Sequence, residues 1–67
     1  MDLVRILEDN DRAEQQAIDA LAVAHARLLA APTSRKAKAA YRACRERLAD
    51  VRQFNRAREE QAAQHAA

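Results

Sequence analysis

Sixty-seven residues permit one small domain, whose core is marginal without a disulfide, a metal or a second chain. Hydrophobic residues make up 49% of the chain, but 18 of them are alanine and only 15 positions carry a larger apolar side chain. A single cysteine excludes an intrachain disulfide and points to a reducing cytoplasm, no apolar run approaches the ~18–20 residues of a membrane span, and a net charge of +2 does not announce a nucleic-acid binder.

The start, Met1-Asp2-Leu3-Val4-Arg5, lacks the basic n-region and uninterrupted apolar h-region of a signal peptide. Asp2 is a natural N-cap. A first helix is expected from about residue 2 to 31, with Leu3, Leu7, Ile18, Leu21 and Leu28 at helical spacing and Ala17 and Ala24 between them. In heptad terms Val4, Asp11, Ile18 and His25 share one seam position, and Leu7, Glu14, Leu21 and Leu28 share the other. Ile6 and Leu29 widen the stripe, and a wide stripe contacts more than one neighbour. Asp11 and Glu14 make a polar layer beside Asn10. The alternative, a break at Glu8-Asp9-Asn10-Asp11, is disfavoured because neither Gly nor Pro is present there.

The chain turns at Ala31-Pro32-Thr33-Ser34. Pro32 is the only proline and there is no glycine. Proline ends the helix before it and biases Ala31 toward an extended conformation, and Thr33 or Ser34 then caps a new helix.

The second helix is expected over about 34–63, with a frayed tail at 64–67 that holds no large apolar group. Its seam reads Ala37, Tyr41, Cys44, Leu48, Val51, Asn55, Arg58, Ala62, His65, alternating steps of four and three, with Phe54 beside it as core. Folding the helices together about Pro32 sets Leu28 against Ala37, His25 against Tyr41, Leu21 against Cys44 and Ile18 against Leu48. Asp11 and Glu14 then reach Val51, Asn55 and Arg58, and a carboxylate–Arg58 pair is expected.

The expected fold is therefore all-α: one antiparallel, coiled-coil-like helical hairpin that dimerises into a four-helix bundle. Ile18, Leu21, Leu28, Tyr41, Leu48, Val51 and Phe54 form the hairpin and dimer core. At the open end Leu3, Val4, Ile6 and Leu7 face only Arg58, Ala62 and His65, and an uncovered patch of this kind marks a partner surface.

Charge is uneven along the chain. Residues 1–31 hold three basic and six acidic groups, and residues 32–67 hold nine and four. Arg35, Lys38, Arg42, Arg45, Arg52 and Arg56 fall on one side of the second helix. Aromatic residues do not interleave with them as in single-strand binders. No Gly-rich phosphate loop, paired metal-ligand motif or catalytic constellation is present, so no enzyme, metal or cofactor is expected. His25 and Cys44 in adjacent layers are better explained as core than as zinc ligands.

The leading expectation is a cytoplasmic, non-enzymatic protein-binding module, a small regulator, adaptor or inhibitor. Leu3, Val4, Ile6 and Leu7 provide affinity, and Arg35, Lys38, Arg42 and Arg45 steer an acidic protein partner. The second expectation is RNA or DNA binding by the basic stripe of a dimer. The two-helix outline resembles the plasmid RNA-binding Rop hairpin and the small hairpin co-chaperones of secretion systems, which would make the chain a nucleic-acid binder or a structural subunit of a larger assembly.

Overall fold

Two long helices folded into an antiparallel hairpin account for the computed structural model, which describes residues 2–66. Helix α1 spans Leu3–Ala30 and helix α2 spans Arg35–Ala66. Asp2 caps α1 in an extended conformation (φ −87°, ψ 110°), and its Oδ1 accepts the Val4 N–H at 3.1 Å. The helix then continues without interruption through Glu8–Asp11. It ends where Pro32 forbids a further turn. Ala31 leaves helical geometry (φ −139°, ψ 70°) and its N–H is shared between the Arg27 and Leu28 carbonyls at 3.0 and 3.2 Å. The Ser34 N–H closes the turn onto the Ala31 carbonyl at 3.0 Å. Ser34, not Thr33, caps α2: its Oγ accepts the Ala37 N–H at 3.1 Å.

The second helix is longer than its apolar pattern suggests, since it continues through Ala66 where a frayed tail was expected. Gln61–Ala66 is built of alanine, glutamine and one histidine, and alanine and glutamine are strong helix formers. Ala62 is also buried within this stretch. Ala67 lies outside the described residues.

The seam of α2 follows the heptad pattern. Ala37, Tyr41, Cys44, Val51 and Arg58 are half-buried, and Leu48, Asn55 and Ala62 are buried; His65 alone of that series is exposed. In α1 the expected row Glu14, Leu21 and Leu28 lines the seam, with only Leu7 of that row exposed, and the other row lies one residue earlier than the apolar pattern indicates. Ile6, Asn10, Ala17 and Ala24 are buried, with Leu3, Glu14, Leu21 and Leu28 half-buried beside them, while Val4, Asp11 and His25 are exposed and Ile18 only half-buried. Small residues at Ala17 and Ala24 let the backbones close together. A seam through Asp11 would instead take a carboxylate out of water, a desolvation cost that an ion pair with Arg58 offsets poorly.

The polar layer is correspondingly different from the expected Asp11/Glu14–Arg58 pairing. It is an asparagine pair. Asn10 Nδ2 donates to the Asn55 carbonyl at 3.3 Å and to Glu59 Oε1 at 3.2 Å, and Asn55 Nδ2 donates back to the Asn10 carbonyl at 3.0 Å. Both asparagines are at least 95% buried. Asn10 Oδ1 is buried with no donor among the described residues. Shifting one helix by a turn would part Asn10 from Asn55 and end this reciprocal exchange, so the pair favours a single register.

Two helices shield each other along one line only. Among the described residues the buried apolar groups are Ile6, Ala17, Ala24, Leu48 and Ala62. Phe54, expected in the core, is 63% exposed; it precedes Asn55 by one residue and is turned out of the seam by that step. Ile6, expected on the partner surface, is 5% exposed, because it lies one helical turn before Asn10 and so on the same seam-facing side of α1.

Leu48→Ala should lower stability by about 2–3 kcal/mol and Phe54→Ala by less than about 0.5 kcal/mol, read by urea denaturation. Asn10→Leu should destabilise by about 1–3 kcal/mol, because the Asn55 carbonyl and Glu59 Oε1 lose the Asn10 Nδ2 donor in a buried layer.

Candidate interaction surfaces

The hairpin is a rod of 51 × 15 × 10 Å with a radius of gyration of 15.4 Å, against about 11 Å for a compact chain of this length. Its two faces differ in chemistry, and cross-helix contacts show which side chains share each one.

On the first face Glu14 Oε1 accepts from Arg52 Nε at 2.9 Å, and the His25 and Tyr41 rings stack at 5.4 Å between centroids. The guanidinium of Arg45 lies 5.7 Å from the Tyr41 ring centroid, a cation–π distance. Glu14 thus takes Arg52 as its partner in place of Arg58. This is the only ion pair among the described residues, and both groups are partly exposed. Beside these contacts α1 lays out a second stripe, Val4, Leu7, Ile18 and Leu29, at helical spacing. Val4 is 61% and Leu29 70% exposed, and Leu7 just over a third.

The opposite face carries a hollow of about 430 Å³ near the turn, lined by Arg27, Ala30, Lys36 and Ala40 among others. Arg47 and Phe54 recur at seven-residue steps from Ala40, and Val23 lies one heptad before Ala30. Helical periodicity therefore places all three on this side. Val23 is 52% exposed. The result is a strip in which exposed apolar groups alternate with the cations Arg27, Lys36 and Arg47.

The anticipated partner residues do not converge on one spot. Val4 and Leu7 lie at the open end, and Leu3 is half-buried. Arg35, Lys38, Arg42 and Arg45 are exposed near the turn. With His25 level with Tyr41, Lys38 sits about 30 Å along the rod from Leu7 at ~1.5 Å per residue.

Folding also reorganises the charge. The open half, residues 2–17 and 50–66, holds eight carboxylates against five arginines, and the turn half, residues 18–49, holds seven Lys/Arg against two carboxylates. The rod is thus polarised lengthwise, about −3 at one end and +5 at the other.

No group of three His, Cys, Asp or Glu side chains gathers among the described residues, and no described helix is long and apolar enough to cross a membrane. No family model, curated protein or solved structure matches the chain.

Glu14→Gln should change stability by less than about 1 kcal/mol in urea denaturation, because the pair with Arg52 stays open to water.

Proposed function

We propose that the chain is a cytoplasmic, non-enzymatic protein-binding module, a small regulator, adaptor or inhibitor that lays a helical face on an acidic partner. The observation that carries this reading is the strip of Val23 and Phe54 interspersed with Arg27, Lys36 and Arg47. An exposed aromatic ring is a typical anchor for a partner groove or helix. The neighbouring cations lie outside the one intramolecular ion pair among the described residues and suit a negatively charged counterpart. Arg35, Lys38, Arg42 and Arg45 extend the positive end and speed encounter without adding much affinity.

A second reading, RNA or DNA binding, draws on the excess of cations in the turn half. It accounts for the arginines but gives Phe54 and Val23 no role. A structural subunit or co-chaperone role would use the same apolar strip.

A photo-cross-linker placed at Phe54 in cells should yield one discrete protein adduct that survives nuclease and is lost on Arg47→Glu. Absence of a protein adduct, together with duplex binding whose salt slope falls by about one on Arg42→Ala, would replace this reading with the nucleic-acid one.

A further inference from the structure

The stripe Val4, Leu7, Ile18 and Leu29 of α1 is left over once the hairpin is closed. It runs from the open end to the turn in steps of three, eleven and eleven residues, with exposed Asp11 and His25 on the same side between them. We propose that a second copy of this chain covers it, packed antiparallel, with the turn end of one rod beside the open end of the other. The claim stands apart from the partner reading, which concerns the opposite face.

Three observations point to a second copy. The first is area. The chain exposes 5449 Å², about 1,200 Å² more than the ~4,200 Å² of a compact monomer of its mass. One side of a 51 × 15 Å rod is of the order of the ~800 Å² per partner that specific interfaces bury. The second is charge. An antiparallel arrangement sets the acidic open half of each rod against the basic turn half of the other. A parallel one would stack like on like, and like charges brought together oppose association. The third is shape. A two-fold axis near Ile18, close to the middle of α1, carries Val4 and Leu7 of one copy toward Leu29 of the other, so the contact closes on itself. The product is a four-helix bundle whose Phe54 faces remain outward.

Sedimentation equilibrium should give twice the 7.5 kDa chain mass at tens of micromolar. Val4→Glu and Leu29→Glu alter residues on the hairpin surface, so helicity by circular dichroism should persist while the dimer dissociation constant rises at least tenfold. Val23→Glu, on the other face, should leave the dimer intact. Orientation is read by mixing chains carrying Leu7→Cys or Leu29→Cys in a Cys44→Ser background: oxidation should favour the mixed cross-link over either like pair. A monomer at 100 micromolar, or a dimer lost on Val23→Glu but not on Leu29→Glu, would overturn the proposal. Dominant Leu7→Cys self-cross-links would overturn the antiparallel order. The Phe54 cross-linking experiment is unaffected by either outcome, so the two readings fail separately.

Discussion

Close approach of the two backbones governs this molecule. Ala17, Ala24 and Ala62 are among its most buried residues, and their small side chains allow the helices to meet along a narrow line. The consequence is a short supply of buried large side chains. Only Ile6 and Leu48 among the described residues combine size with full burial, and a core that thin gives a domain little margin. Larger apolar groups are held at the edges of the seam or beyond it, where they remain available to a neighbour.

Within that line the asparagine layer supplies specificity more than strength. Small alanine side chains give the apolar line little steric definition, so apolar packing alone would tolerate a slip. Asn10 and Asn55 exchange side-chain-to-backbone hydrogen bonds across the hairpin, and only one register allows both. The capped turn acts at the other end of the rod, where Ser34 and Pro32 determine how the chain reverses. Two local devices thereby align helices of 28 and 32 residues.

The α2 seam was legible in the sequence because one stripe dominates it, from Ala37 to Ala62. In α1 two stripes overlap, one residue apart. Periodicity weighted by side-chain size selects Val4, Ile18 and Leu7, because alanine adds little apolar weight and asparagine none. The structure buries Asn10, Ala17 and Ala24 instead, since pairing with α2 rewards closeness and matched polar groups. The same bias hid Phe54: a lone aromatic beside a seam reads as core, yet one step along a helix turns a side chain by about 100°, at ~3.6 residues per turn. Burial of Ile6 was missed because it lies one turn before Asn10 on the α1 seam, a row that apolar periodicity did not select. The basic row was visible as a row, but its lengthwise opposition to the acidic end emerges only once the chain is folded about Pro32.

Packing of the two helices depends on the seam passing through Asn10 and Asn55. NMR of the side-chain amides tests this most directly. A seam through this pair predicts dispersed, exchange-protected Asn10 and Asn55 amide protons with cross-helix nuclear Overhauser contacts between them, and Phe54 ring protons without contacts to α1 seam residues. Averaged asparagine amides, together with contacts from Asp11 or Glu14 to Arg58, would contradict it and return the seam to the Val4–Ile18 stripe.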